Sequence, residues 1–404
     1  MGRLPGCGVL ILLATAVRAG EPDGAVAAAA RWTDPRGAAS GSLSSRALPV
    51  VRDVREAWTC ELPGAPTAPP VHWDGTAYLV CETRPGRVLV AVDLARGAVV
   101  ARRTLGPGVP ARPVVWDHIV VVRLGPSVLG GVHAAGHAFN RVWRFRLERP
   151  REPDAVVSDP VVYENEVYVV FGGTLQRLRL RHSTAVWSAA GSYHGRPAVY
   201  GRHVYILRHR TTGGERDGLY VEALRRRDGG VAGTAACGQY QRGGRPSWRE
   251  EGRITVTPRA VYVLAPRPLR GEEGAYSCAA VRRRGGAGSV VLETSRHLYP
   301  TDLAVATHRE GALLLSEGRR WSLWTEEGGR VLADAEYHPD LFRNPVPATV
   351  LGDVVYFGSW AADLRTREIL WRLPLDRVTF QAVPADRLIL VVDGARLRAF
   401  RGRS

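Results

Sequence analysis

Three tyrosine–histidine combinations stand out as groups that could do chemistry: Tyr193-His194, His297-x-Tyr299 and Tyr337-His338. Arg196, Asp302 and Asp340 lie close to them in sequence. Imidazole, phenol and carboxylate groups brought together around a pocket could exchange protons with a substrate or orient a polar ligand. The same residue types also cap turns on exposed loops, so the two readings stand side by side. His133 and His137 have the i, i+4 spacing of a helical metal pair. Gly130, Gly131 and Gly136 argue for a loop there, and no third ligand is in sight, so no metal is expected.

Hydrolase, zincin, phosphate-loop and EF-hand signatures are all missing, as is a haem-type C-x-x-C-H. Chemistry, if any, would have to come from residues scattered over loops, and the question becomes what positions those loops.

A repeat does. Val71 to Tyr78, Val114 to Val121, Val161 to Tyr168 and Ala198 to Tyr205 share one pattern: an apolar pair, an aromatic, a two-residue turn, then an apolar run. Thr255 to Tyr262, Thr349 to Tyr356 and Ala382 to Ile389 repeat it, and Val305 to Leu313 is a looser copy. Each reads as strand, tight turn, strand. A second hairpin follows, as in Val88 to Gly97 and Ala361 to Trp371, and Trp143, Trp187, Trp324 and Trp371 close four of the units. From Trp58 to Trp371 there are seven units of about 45 residues, the length of a propeller blade. The eighth, Leu373 to Phe400, supplies only three strands; Leu48 to Trp58 can supply the fourth and leave no open sheet edge. The expected fold is all-β: an eight-bladed β-propeller of four-stranded antiparallel blades, closed by pairing an N-terminal strand with the last blade.

The Ala-x-Asp-x-x-Thr-x-x-x-x-Trp spacing of Ala361 to Trp371, and the shorter Ala91-x-Asp93-x-x-x-Gly97, resemble the repeats of the quinoprotein-like (PQQ-like) eight-bladed β-propellers. The resemblance covers residues 48–404. The family holds quinoprotein dehydrogenases, which use PQQ with a divalent cation, and the non-catalytic outer-membrane assembly lipoprotein BamB. The adjacent cysteine pair typical of the catalytic members is missing, and so is a lipobox cysteine. The resemblance therefore implies a BamB-like, non-catalytic branch with no cofactor, and PQQ under the alternative.

In such a fold the inter-blade loops share one face, which gives the candidate funnel Tyr193, His194, Arg196, His297, Tyr299, Asp302, Tyr337, His338 and Asp340. The third-to-fourth-strand turns share the opposite face. Arg96, Arg181, Arg225, Arg226, Arg227, Arg282, Arg283, Arg284, Arg365 and Arg367 fall at or near them, a candidate basic face for an anionic glycan or lipid headgroup. The formal net charge is +16, yet all 55 basic residues are Arg, which points to GC-rich coding as well as to polyanion affinity.

Residues 1–19 read as a signal peptide, with Arg3 before the apolar run Gly8 to Val17. Residues 20–46 read as a flexible Ala/Gly/Ser-rich tether, and 47–404 as the propeller. Export, to the periplasm or beyond, permits two disulfides among Cys60, Cys81, Cys237 and Cys278. Three connectivities are open, with the local pairs Cys60–Cys81 and Cys237–Cys278 preferred. The resemblance, with the compact loops and the missing cofactor motifs, implies a protein-interaction scaffold in the cell envelope over an oxidoreductase or a polyanion binder, and export makes nucleic acid an unlikely partner.

Overall fold

The computed structural model of the chain describes residues 53–402 apart from 85, 107–111, 126, 136–137, 147–157, 183, 212–215, 242–253, 257–259, 267–275, 285–289, 302–305, 308–311, 318–319, 326–330, 337–347, 352, 358, 364, 367, 376–377, 379, 381 and 386. Among them the strands form eight antiparallel sheets that follow one another along the chain. The third is representative: Val161–Tyr163, Glu166–Phe171, Thr174–Arg179 and Ala185–Ala190, each hydrogen-bonded to the next. The fourth comprises Tyr193–Tyr200, His203–Thr211, Arg216–Arg225 and Val231–Gln241. The fifth comprises Ile254–Val256, Ala260–Pro266, Tyr276–Arg284 and Val291–Thr301. The first sheet gains an additional two-residue strand, Ala65–Pro66, beside Thr76–Glu82.

The eighth sheet joins the two ends of the described chain. Val54–Glu61 pairs antiparallel with Arg396–Gly402, Val54 opposite Gly402 and Glu61 opposite Arg396. The pairing strand is shifted toward the C-terminus of the expected Leu48 to Trp58 span, of which 48–52 lie outside the described residues.

The local chemistry explains the hairpins. Asp74-Gly75, Asp117-His118 and Glu164-Asn165 all have positive φ (47° and 71°, 47° and 61°, 47° and 60°), as a two-residue turn joining right-twisted strands needs. In the second hairpin the motif aspartate works as a turn staple. Asp93 Oδ1 accepts the backbone N–H groups of Ala95 and Arg96, and Asp363 Oδ1 those of Arg365 and Thr366, at 2.8–3.0 Å.

The sheets pack face to face in chain order. Separate apolar clusters fill the spaces between the first and second, second and third, third and fourth, and fourth and fifth sheets. One further cluster unites the seventh, eighth and first. Tyr78, Tyr168, Tyr205, Tyr262 and Tyr356 are fully buried at the same place in five second strands. Outer-strand tryptophans dock onto the next sheet: Trp58 Nε1 donates to Leu94 O and Trp187 Nε1 to Arg226 O, at 2.9 and 2.8 Å. Each ring lies on a glycine with positive φ, Gly97 and Gly229, where a Cβ would come within 2.5 and 2.8 Å of it. His72, fully buried in the first sheet, donates from Nε2 to Pro384 O of the eighth at 2.9 Å.

The outer edges would invite pairing with other chains. Each outermost strand is interrupted by a β-bulge, for example between Arg141 and Trp143 and opposite Ala361/Ala362 in the seventh sheet. A bulge twists the strand and breaks the flat hydrogen-bonding edge.

The expected disulfides are not formed. Cys60, Cys81 and Cys237 are free and buried. Cys60 and Cys81 share the apolar cluster between the eighth and first sheets, and burial pushes the Cys81 thiol up to about 12. The Cys237 thiol lies in the apolar cluster between the fourth and fifth sheets and donates to Leu219 O at 3.4 Å. The side chain of Cys278 lies outside the described residues.

Candidate functional site

Chemistry-bearing side chains concentrate on the fourth sheet, at its two ends. At one end the register places Tyr193 opposite Arg208 and Arg208 opposite Tyr220. Residues two apart share a face, so Arg210 and Glu222 join them. Glu222 has no exposed surface. It accepts from Tyr193 Oη at 3.0 Å, Arg208 Nη1 at 2.7 Å and Arg210 Nη2 at 3.2 Å. Arg210 also lies over the Tyr220 ring, 4.9 Å from its centre. Burial, followed by the Glu222 charge and hydrogen bond, pushes the Tyr193 phenol up to about 12. The Tyr193 phenol therefore keeps its proton near neutral pH.

On the opposite face of the sheet His194 and His209 meet edge to face, ring centres 5.7 Å apart. Arg196 is buried, and desolvation brings it down to about 9. Tyr193, His194 and Arg196 thus belong to the inner strand itself, with Tyr193 and Arg196 buried. His297 and Tyr299 also sit on a strand, Tyr299 opposite Cys278, and their side chains lie outside the described residues. Asp302, Tyr337, His338 and Asp340 lie outside the described residues altogether.

At the other end of the sheet, where the short turns gather, the third and fourth sheets are clasped by Arg226. Its guanidinium stacks over Tyr163 at 4.4 Å. It donates from Nε to Tyr168 Oη at 3.0 Å and from Nη1 to Gly201 O at 3.0 Å. Nη2 donates to Glu164 at 2.9 Å and to Glu166 at 3.1 Å. Glu166 also accepts from Tyr168 and Arg177. Burial opposes ionisation of Glu166, and the hydrogen bonds from Arg177, Tyr168 and Arg226 outweigh it, so its carboxyl sits below the usual range.

The fourth and fifth sheets repeat half of this clasp. Arg283 stacks over Tyr200 at 4.8 Å and donates from Nε to Tyr205 Oη at 2.6 Å. Tyr200 and Tyr205 take the places of Tyr163 and Tyr168, because each hairpin has the same register: Tyr163 opposite Glu166, Tyr200 opposite His203. The acids do not repeat. Gly201 stands where the third sheet has Glu164, and His203 where it has Glu166. The His203 imidazole, ring centre 6.4 Å from Tyr205, is buried. Desolvation first, then the charges of Arg283, Arg225 and Arg202, hold it below the usual histidine range.

The remaining arginines of the expected basic face are unequal. Arg226 is largely buried in its clasp, and Arg181 pairs with Asp117 of the preceding sheet. Arg225 and Arg227 share Asp228 at 3.0 Å each. The backbone arrangement around Arg96 and Arg365 leaves both side chains exposed, as are Arg282 and Arg284. Arg367 lies outside the described residues. Several arginines of this face are thus held in matched pairs with acids of their own or the preceding sheet. Sequence reading found the arginines but missed Glu166 and Glu222, which lie in unremarkable strand positions.

A PQQ site needs carboxylate or amide donors for its cation. Among the described residues there is no group of three His, Cys, Asp or Glu side chains placed to hold a metal. Glu222, the buried carboxylate on the candidate funnel side, is already bound by two guanidiniums and a phenol.

No family model matches the chain, and no curated protein matches it by sequence. Solved structures do resemble it. BamB from Moraxella catarrhalis is 14% identical with a TM-score of 0.54, over 87% of this chain and 98% of that one. Quinohemoprotein alcohol dehydrogenase from Comamonas testosteroni is 11% identical with a TM-score of 0.60, over 93% and 81%. The computationally designed Ika8 protein is 12% identical with a TM-score of 0.56, over 86% and 99%. At these identities the likeness shows the fold, a β-propeller of the PQQ-like kind.

Proposed function

We propose that the chain is a closed, eight-bladed propeller that serves as a non-catalytic protein-interaction scaffold in the cell envelope. The eight sheets act as blades, and the pairing of Val54–Glu61 with Arg396–Gly402 fastens the ring. One observation carries the functional reading: the buried carboxylate at this end of the fourth sheet is committed to structural partners. Glu222 is fully buried and bound by Arg208, Arg210 and Tyr193. Such a group orders a sheet, and its charge is already matched by two guanidiniums. The dehydrogenase overlay has the higher TM-score, so fold alone does not choose the branch. The commitment of Glu222 to Arg208, Arg210 and Tyr193 supports the scaffold reading.

The exported, periplasmic or secreted placement rests on the N-terminal apolar run and on the fold likeness. Among the described residues no helix is long and apolar enough to cross a membrane. The test is a native mass spectrum of the mature protein purified gently from its own host. A bare monomer, or one carrying a second polypeptide, is the expected result. A stoichiometric small adduct of PQQ mass would overturn the reading in favour of an oxidoreductase.

A further inference from the structure

Asp-Gly pairs occur in the sequence at Asp23, Asp74, Asp217, Asp228 and Asp393. In such a pair the glycine nitrogen can attack the preceding side-chain carboxyl, because glycine has no Cβ to obstruct the approach and takes φ of either sign. The fold treats the pairs differently, and Asp23 lies outside the described residues. Gly218 is paired on both sides within its sheet, with Arg210 and with Gln239. Asp228 accepts from Gly230 N–H at 2.9 Å and from Arg225 and Arg227 at 3.0 Å each, and Gly229 N–H is itself engaged by Arg225 O at 2.9 Å. The Asp393 side chain is 14% exposed and accepts from Arg398 at 3.3 Å. Asp74 is the exception. Its side chain is 69% exposed, and its carboxylate faces the His118 imidazole at 3.8 Å, beyond hydrogen-bond reach. Nothing lies within 4 Å of where a Cβ on Gly75 would be.

We propose that Asp74-Gly75 is a self-modification site, at which the folded protein converts Asp74 to isoaspartate. Gly75 N attacks Cγ of Asp74. The N–Cγ bond forms, and one carboxyl oxygen leaves as water with the amide proton and a proton from solvent, giving a five-membered succinimide. Water then adds to the backbone carbonyl of Asp74 and the bond from that carbon to Gly75 N breaks. The main chain now runs through the former side chain, with a free α-carboxylate, and the mass returns to its starting value. No oxidant or cofactor is consumed. The turn must open briefly to bring Gly75 N over Cγ, and the empty surroundings of Gly75 allow it. The consequence is structural. A two-residue turn with φ of 47° and 71° sets Trp73 opposite Thr76, and the new linkage adds one backbone atom inside that turn. Trp73 packs on Trp116 of the second sheet, ring centres 5.5 Å apart, so the change is felt at the first–second seam. The site is independent of the scaffold reading.

The experiment ages the whole folded protein in mildly acidic buffer at physiological temperature. Isoaspartate is then quantified site by site after digestion, by electron-transfer fragmentation, which tells the two linkages apart. The expected result is at least about tenfold more isoaspartate at Asp74 than at Asp228 or Asp393, the ratio that one hydrogen bond holding a carboxylate in place would produce. The control is Asp74→Glu, whose longer side chain cannot close a five-membered ring. It keeps the turn, since Glu164 holds the same place in the third sheet with the same φ of 47°. On ageing, wild type should gain a lower-melting population that Asp74→Glu lacks. No isoaspartate at Asp74, an amount equal to that at Asp228 and Asp393, or formation only in urea-unfolded protein overturns the site. Isoaspartate at Asp74 with unchanged melting overturns its consequence for the seam.

Discussion

The third–fourth and fourth–fifth seams are built on the same plan and settled differently. Both set an arginine from the later sheet over a tyrosine that ends the earlier sheet's inner strand, and both anchor it on a buried tyrosine hydroxyl. The first adds carboxylates, Glu164 and Glu166, where the second has Gly201 and His203. The repeated part is what holds neighbouring sheets together; the varied part sets the chemistry of each junction. A repeat protein can thus change surface chemistry one junction at a time without touching its core.

The comparison can be broken most forcefully at the third–fourth seam. Glu222→Ala and Glu166→Ala should each cost about 3–5 kcal/mol, with Glu222, the more buried, costing more, because each leaves two guanidiniums without their buried partner. His203→Gln at the fourth–fifth seam should cost less than about 1 kcal/mol, there being no such pair to break. Urea unfolding measures all three. Equal losses at Glu166 and His203 would show that the two seams are not built as described.

A third seam sharpens the picture through pH. His72 ties the first sheet to the eighth, and burial holds its imidazole down to about 4, outweighing the bond to Pro384. Its pKa is depressed on folding, so its contribution is fully present above about pH 6.5 and is lost as pH falls toward 4. The loss should reach about 3 kcal/mol. His203, also depressed, adds a loss of the same sign. Unfolding of wild type and His72→Gln across that window checks this: the variant's curve should be flatter. The smallest effect belongs to Glu164→Ala. Its side chain is 57% exposed, so removal should cost about 0–1 kcal/mol. A loss matching that of Glu166→Ala would mean that Glu164 carries the clasp.

The architecture was legible because its signals are local. A turn aspartate, a positive-φ residue and the apolar pair before it lie within eight residues, and the repeat amplifies them. The missing fourth strand of the last unit made the joining of the chain ends readable too. The clasps were not legible. Arg226 and Glu166 are 60 residues apart, and Arg283 and Tyr205 are 78 apart. Nothing in either segment alone says that they meet. The arginine clusters could be placed on the turn side, but which are matched depends on the preceding sheet's turn. The disulfides are a related case: sequence proximity does not fix sulfur-to-sulfur geometry, and Cys60 and Cys81 share one apolar cluster yet stay free.

The most direct test of the seam comparison is the stability of His203→Glu relative to His203→Gln in denaturant, at low and at high salt. The two variants share shape and backbone, so their difference reads the charge alone. If Arg283 stands to position 203 as Arg226 stands to Glu166, His203→Glu is the more stable at low salt, and the gap narrows as salt screens it. A carboxylate that is neutral or destabilising there at low salt would contradict the account.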